Sequence, residues 1–225
     1  MTDLDRKALS GTFRFFAALA GMLFIPAWSL AYWQAWLFFV VLSSSILAVT
    51  IYLMKNDPKL LERRMRGSLG AEKEDSQKII QLTAFAVFAA TLMLPGLDHR
   101  YGWSSMSPWL SLIGDLFVAF GMLFILLVFR ANSFASSLIE LDSEQRVIST
   151  GPYAVVRHPM YLGALVMLLG IPFALGSFWD IPMVIPFALT IGWRLLDEEK
   201  FLAKNLPGYE DYRRKVRYRL LPWVW

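Results

Sequence analysis

Chemistry-bearing side chains are concentrated in residues 150–163, whose sequence is TGPYAVVRHPMYLG. The prolines fix φ near −65° and disfavour helix in the residue before each of them. Pro159 therefore suits the first turn of the apolar helix that follows, and His158 suits the cap before it. A helix N-terminus attracts anions, because its first N–H groups lack intrahelical partners and the helix dipole is positive there. The stretch therefore predicts an anion-binding site at the start of an apolar helix.

A second polar stretch follows the next two apolar blocks. It begins near Arg194 and contains the pair Glu198-Glu199 and a basic tail. If the two blocks form a helical hairpin, its ends lie side by side, and His158 and Glu198 converge at one membrane surface. A carboxylate there can accept charge-assisted hydrogen bonds from a ligand. This pattern suits a membrane enzyme with a water-soluble cosubstrate.

Three motifs stand in order along the chain. They are RHPxYxG at 157–163, a glutamate pair at 198–199 and GYxxY at 208–212. Together they resemble the isoprenylcysteine carboxyl methyltransferases and the related phospholipid methyltransferases, and the likeness covers roughly 132–225. The resemblance implies an all-α integral membrane enzyme that uses S-adenosylmethionine as methyl donor and methylates a lipid-like, amphipathic acceptor.

The resemblance also implies which residues surround the donor. They are Gln145, Val147, Ile148, Tyr153, Arg157, His158, Pro159, Met160, Tyr161, Gly163, Glu198 and Glu199. It further implies that Arg194 is catalytic and meets the carboxylate of the acceptor. Because methyl transfer is an in-line displacement, positioning matters more than proton transfer. Gln145 stands where the carboxyl methyltransferases have a histidine, which leaves the donor site plausible and the acceptor open.

Residue types alone allow plainer interpretations of the same positions. Arg194 lies four residues before Glu198, where an intrahelical ion pair would contribute a few tenths of a kcal/mol. His158 can be an interfacial histidine with satisfied hydrogen bonds, and the glutamate pair can be a solvated helix face. Tyr209 and Tyr212, spaced i and i+3, more often pack a surface helix than bind a ligand.

Other functions fit parts of the pattern. One is phospholipid N-methylation, and another is an NADPH-dependent sterol-type reductase, whose C-terminus resembles residues 216–225. A transporter or scaffold is disfavoured, because Asp115 is almost the only charge within the apolar segments. No G-x-G-x-x-G or G-x-x-x-x-G-K-[ST] motif occurs, so a soluble dinucleotide-type methyltransferase and an NTP-driven pump are not indicated.

Composition places the chain in the membrane. Of its 225 residues 56% are hydrophobic and 18% are charged, and no charge occurs between Arg14 and Lys55. Apolar blocks predict about six transmembrane helices, the last two a proline-kinked hairpin, followed by a cytoplasmic helical tail. We expect N-terminal transmembrane helices over 1–130 and a catalytic region over 131–225.

Basic residues predict the topology. Of the 22 lysines and arginines, 21 fall in connections on one side, and Arg100 alone falls on the other. The positive-inside rule therefore puts both termini and the active site in the cytoplasm. With no cysteine and two histidines, a metal site is not expected. The placement of the positive charge indicates the bilayer and not nucleic acid as the partner.

The basic segments carry two open interpretations. Residues 55–78 are expected to include a short helix from Pro58 capped by Asp57, and to act either as a headgroup-binding loop or as a substrate gate. The basic residues of the tail are expected to meet anionic headgroups. They are Arg213, Arg214, Lys215, Arg217 and Arg219.

Overall fold

The computed structural model describes residues 1–67, 75–139 and 145–225, and these ranges contain helices and no β-strand. The helices are α1 (Asp3–Ala27), α2 (Trp33–Asn56), α3 (Pro58–Met65), α4 (Asp75–Tyr101), α5 (Pro108–Ala131), α6 (Pro159–Ala174), α7 (Val184–Asn205) and α8 (Tyr209–Lys215). Two short 3₁₀ turns cover Gly151–Ala154 and Ile181–Met183. The predicted all-α integral membrane class is thereby confirmed.

Four helices are long and apolar enough to cross a bilayer: α1, α2, α4 and α5. Every predicted apolar block is a helix, but the count of six spans is not confirmed. Helix α6 has 16 residues, about 24 Å at the rise of an α-helix, which is shorter than a hydrocarbon core of about 30 Å. Helix α7 becomes charged in its second half.

The last two apolar blocks do form two helices that return to the same end. Their prolines lie near helix ends, where few backbone hydrogen bonds are interrupted: Pro172 is in the last turn of α6, and Pro186 is in the first turn of α7. Helix α6 nevertheless packs chiefly on α5, whereas α7 packs mainly on α4. The predicted hairpin is therefore splayed.

Glycines hold α5 and α6 together. A Cβ atom at Gly121 of α5 would lie 2.7 Å from the Gly163 carbonyl oxygen, and one at Gly170 of α6 would lie 2.5 Å from the Gly114 carbonyl oxygen. Such spacing leaves no room for a side chain, and small residues are how membrane helices approach closely. This contact sets the position of the first turn of α6, where the site residues lie.

Contacts between helices show which connecting segments lie at each end of the bundle. At the end where α6 begins, Arg64 of α3 reaches Met160, and the tail reaches residues 157–158. At the end where α6 finishes, Tyr32 donates a hydrogen bond to the Leu175 carbonyl oxygen. We call these the α6-start end and the α6-finish end.

Candidate active site

A cleft opens at the α6-start end between the segment after α5, the start of α6, the second half of α7 and helix α8. It spans about 760 Å³ including its open mouth. Its walls combine aromatic, aliphatic and polar side chains. They are Asn132, Phe134, Ala135, Ser136, Leu138, Ile139, Gln145, Arg146, Val147, Ile148, Tyr153, Arg157, His158, Met160, Tyr161, Glu198, Leu202, Leu206, Tyr209 and Tyr212.

The start of α6 has the local structure that its prolines predict. His158 is the N-cap residue and Pro159 occupies the first helical position. The backbone N–H groups of Arg157 and His158 donate to the carbonyl oxygens of Tyr218 and Arg219, at 2.9 and 3.0 Å. The C-terminal tail therefore pins the cap from outside the helix.

A buried ion cluster lies beside this cap. The Glu199 carboxylate accepts from Arg157 Nε at 2.6 Å and from Arg219 Nε at 2.9 Å, and His158 Nε2 lies 3.4 Å away. Arg157 Nη1 also donates to the carbonyl oxygens of Val216 and Arg217. Both carboxylate oxygens are thus engaged by protein cations, which ties α7, the α6 cap and the tail together.

These partners determine the charge of Glu199. Burial by itself would raise the pKa of this carboxyl group, but hydrogen bonds from His158, Arg157 and Arg219 outweigh it and hold the pKa well below its usual range. Arg219, expected at lipid headgroups, is instead an internal partner and also lies over the Trp225 ring at 5.2 Å.

Glu198, the neighbour of Glu199, faces the cleft. Its Oε2 atom accepts a hydrogen bond from the Tyr161 hydroxyl at 2.6 Å. The Arg194 Nε atom donates to the same hydroxyl at 3.2 Å, and Arg194 Nη2 donates to the Ser137 carbonyl oxygen at 2.8 Å. Arg194 and Glu198 are therefore linked through Tyr161, and Arg194 stands behind the cleft wall.

Tyrosines form the wall toward α8. Asn132 Nδ2 donates to the Tyr153 hydroxyl at 3.0 Å, and the Tyr212 hydroxyl donates to the Tyr153 carbonyl oxygen at 2.8 Å. Burial raises the pKa of Tyr153 to about 12, so this phenol is neutral at physiological pH. Tyr209 is 4% exposed, and its hydroxyl has no hydrogen-bond partner among the described residues. A buried hydroxyl of this kind in a cleft wall is suited to a polar atom of a ligand.

Nine of the twelve predicted donor-binding residues line the cleft, and three do not. Gly163 lies in the α5–α6 contact, where an added Cβ would be 2.8 Å from Ile125. Glu199 belongs to the ion cluster, and Pro159 is buried at the helix start. Sequence reasoning assigned no role to Leu202 and Leu206, whose only signal is their spacing from Glu198 along α7.

Most of the cleft, except its wall on α8, falls within one stretch of the chain. Residues 109–207 match the phospholipid methyltransferase family. This range runs from the beginning of α5 to just past α7, so it includes the α5–α6 contact, the α6 cap and Glu198. The resemblance to membrane methyltransferases that the motifs indicate is thereby confirmed.

Curated relatives match a third to just under a half of this chain. A protein-S-isoprenylcysteine O-methyltransferase of Schizosaccharomyces pombe is 33% identical over 81 residues, which is 33% of this chain and 33% of that protein. A Delta(14)-sterol reductase of Mus musculus, TM7SF2, is 30% identical over 105 residues, or 43% of this chain and 25% of that protein. The cobalt-zinc-cadmium resistance protein CzcN of Cupriavidus metallidurans is 26% identical over 109 residues, 46% and 49% of the two chains. The chain thus covers a quarter to a half of these relatives.

Proposed function

We propose that this protein transfers a methyl group from S-adenosylmethionine to a carboxylate on an amphipathic, lipid-like acceptor. The observation that carries the proposal is the cleft at the cap of α6, most of whose lining lies within the region that matches the methyltransferase family. Because the cleft is open and partly polar while the surrounding helices are apolar, a soluble donor and a membrane-borne acceptor can arrive by different routes.

The cleft residues fit the chemical groups of the donor. The cap at His158 suits the donor carboxylate, because a helix N-terminus favours negative charge. Glu198 suits the ammonium or the ribose hydroxyls. Tyr153 and Tyr161 present rings for the adenine and for the sulfonium, which a ring face attracts. The hydroxyl of Tyr209 provides a further polar contact. When bound, the donor would supply an electrophilic methyl group.

The chain's own residues would mainly position the acceptor. A carboxylate is already a nucleophile, so its oxygen forms the new O–C bond while the S–C bond breaks with its electron pair staying on sulfur, and no proton moves. The planar guanidinium of Arg194 can hold a carboxylate bidentately. Tyr161 connects that guanidinium to Glu198, so acceptor and donor positions are coupled through one hydroxyl.

Donor binding is the first test. We expect the purified protein in detergent micelles to bind S-adenosylhomocysteine in calorimetry, and Glu198→Gln to weaken binding about tenfold. Glu210→Gln is the matched control, because Glu210 is exposed on α8 and pairs with Arg213. The sterol reductase relative makes NADPH the competing ligand. Binding of NADPH without S-adenosylhomocysteine would reject the methyltransferase in favour of a reductase.

The acceptor is tested separately with labelled donor. We expect methyl transfer to long-chain acids, and Arg194→Lys to reduce turnover much more than donor binding, because lysine keeps the charge but lacks the planar fork. Phosphatidylethanolamine is the parallel acceptor. If this amine lipid is methylated and the Arg194 change has no effect, the protein is a phospholipid N-methyltransferase.

The cleft is proposed to open to the cytoplasm, because basic residues are concentrated in the connections at that end of the bundle. Single cysteines can be introduced into this cysteine-free chain at Ser105 and at Glu210, both exposed and at opposite ends. A membrane-impermeant reagent should label them from opposite sides of sealed vesicles. Labelling of both from one side would overturn this orientation.

A further inference from the structure

A second, larger void lies between α1, α2, α3 and α5, and we call it the α1–α5 groove. It encloses about 1620 Å³ including its open mouth, roughly twice the space of the donor cleft. Most of its wall is aliphatic or aromatic. The lining residues are Lys7, Ala8, Gly11, Thr12, Arg14, Phe15, Ile46, Val49, Thr50, Leu53, Leu61, Arg64, Met65, Gly67, Met122, Ile125 and Phe129.

Charge in the groove has one sign. Among the described residues, its lining contains the cations Lys7, Arg14 and Arg64 and no aspartate or glutamate. Apolar walls with a cationic rim are complementary to an alkyl chain that ends in an anion. The same rim would repel an amine of the same chain length.

Arg64 stands where the groove meets the donor cleft. Its Nη1 atom donates to the Ala135 carbonyl oxygen at 3.1 Å and lies 3.6 Å from Met160 Sδ, and both of these residues line the cleft. Its guanidinium also lies over the Phe129 ring at 4.5 Å. One side chain therefore separates the two voids.

The surroundings of Arg64 favour an anion. Its contacts named above are all neutral, and burial together with the nearby Arg194 lowers the pKa of its guanidinium to about 10. Arg64 is half-buried, and a partly desolvated cation among neutral groups is costly. An anion beside it offsets that cost. Two hydrogen bonds hold the backbone around Arg64 in place. Arg63 donates to the Ser133 carbonyl oxygen at 2.7 Å, and Ser137 Oγ donates to the Arg64 carbonyl oxygen at 2.9 Å.

We propose that the α1–α5 groove is the acceptor site and that its occupant is a long-chain carboxylic acid. Arg64 attracts the carboxylate from the groove to the edge of the donor cleft, where the nearby Arg194 would hold it for methyl transfer. The inference rests on the proposed methyl transfer, and it gives α3 a role as a substrate gate. Methylation removes the negative charge of the acid, so the ester loses its attraction to Arg64. Product release is then assisted by the same residue that binds the substrate.

The test uses the full chain in detergent micelles with radiolabelled palmitate as the probe. Gly11→Leu fills the groove without strain, because a Cβ at Gly11 meets no atom within 4 Å. Gly192→Leu is the matched control, because Gly192 has the same free space on α7 and does not line the groove. Arg64→Gln is paired with Arg66→Gln, which removes an exposed cation from the end of the same helix.

We expect Gly11→Leu and Arg64→Gln each to weaken palmitate binding about tenfold or more, and the two controls to bind like the parent. Hexadecylamine and phosphatidylethanolamine should compete poorly. Equal palmitate binding by the parent and Gly11→Leu, or effective competition by either amine, would overturn the proposal. S-adenosylhomocysteine binding is measured in the same samples. Its absence in the parent would reject methyl transfer, while the palmitate comparison would still decide whether the groove binds acids.

Discussion

The two ends of α6 carry buried carboxyl groups with opposite surroundings. At the α6-start end, Glu199 is 4% exposed and is held by Arg157, Arg219 and His158. At the α6-finish end, Asp180 is fully buried, and its two oxygens have no partner among the described residues. Its neighbour Asp98 accepts hydrogen bonds from the hydroxyls of Ser104 and Ser177, at 2.6 and 2.5 Å.

The difference shows how the same functional group is used in two ways. Hydrogen bonds from two arginines and His158 keep Glu199 ionised and make it the junction of the α6 cap, α7 and the tail. Burial and the charge of Asp98 raise the pKa of Asp180 to about 8, so that carboxyl group is mostly protonated near neutral pH. One buried carboxyl group is therefore an ionised partner of cations, and the other is kept neutral by a proton.

Removal of the charge of Glu199 should have the largest effect. Glu199→Gln leaves the buried Arg157 guanidinium without its counter-ion, so we expect a loss of about 3 kcal/mol in the free energy of unfolding and weaker donor binding. Thermal unfolding in micelles measures the first, and limited proteolysis of the tail reports its release. Glu62→Gln is the control, because Glu62 pairs with Arg66 at the surface. Similar stability in both variants would mean that the cluster is not structural.

Disruption of the α5–α6 contact should have the second-largest effect on stability. It should also distinguish the two ends of α6, because only a change near the cap should affect donor binding. Gly114→Ala places a methyl group against the backbone of Ala174 near the α6-finish end, and Gly121→Ala places one against Gly163 nearer the cap. We expect each to lower the free energy of unfolding by about 1–3 kcal/mol. Calorimetry should show that only Gly121→Ala also weakens binding of S-adenosylhomocysteine.

Gly192→Ala is the control for these two variants, because its added methyl group meets no atom within 4 Å. It should leave the protein as stable as the parent or slightly more stable, by up to about 1 kcal/mol, since alanine is the better helix former. Loss of stability in this variant equal to that of Gly121→Ala would contradict an origin in close helix packing.

The pH dependence of stability should come from Asp180. Its pKa is raised from an ordinary value near 4 to about 8, so the folded protein keeps a proton that the unfolded chain has released between these pH values. Stability should therefore fall as pH rises through that window. Asp180→Asn should flatten the profile of melting temperature against pH, whereas Asp211→Asn, an exposed change on α8, should leave it unchanged. An Asp180→Asn profile as steep as that of the parent would assign the dependence elsewhere.

The smallest effects should come from two adjacent tyrosines. Tyr212→Phe removes a hydroxyl that donates to Tyr153, so it should cost about 1 kcal/mol of stability. Tyr209→Phe removes a buried hydroxyl that has no partner among the described residues, so stability should change little while S-adenosylhomocysteine binds more weakly. Unchanged affinity in Tyr209→Phe would show that this hydroxyl does not contact the donor.

Local features of the fold were predictable from the sequence. Helix α6 begins at Pro159 after the cap His158, and α3 begins at Pro58 with the Asp57 side chain accepting from the Leu60 N–H. The segments follow from apolar runs, and their ends follow from proline and capping chemistry. Such features depend on residues within a few positions of each other, which is why they could be predicted without knowledge of the fold.

Part of the predicted 55–78 segment lies outside the described residues, namely 68–74. The choice between a headgroup-binding loop and a substrate gate for this segment stays a prediction.

Tertiary structure alone decided which of two adjacent glutamates faces the cleft. Glu198 and Glu199 are neighbours on α7, but about 100° separates successive residues around a helix, so one meets Tyr161 and the other meets Arg157. Their pattern in the sequence is the same for either outcome. The rotation of α7 about its axis depends on packing against other helices, and no local signal specifies it.

The sequence also did not predict which residues far apart in the chain come into contact. Arg64 lies on the short helix α3, in a basic segment with no chemical motif, yet it contacts Met160 and lies near Arg194. Gly163, which belongs to the motif, serves the α5–α6 contact. The chain itself determined the membrane helices and the residues at their ends. The bundle decided which of these residues meet, because burial and pairing across the fold depend on helix contacts between residues far apart in sequence.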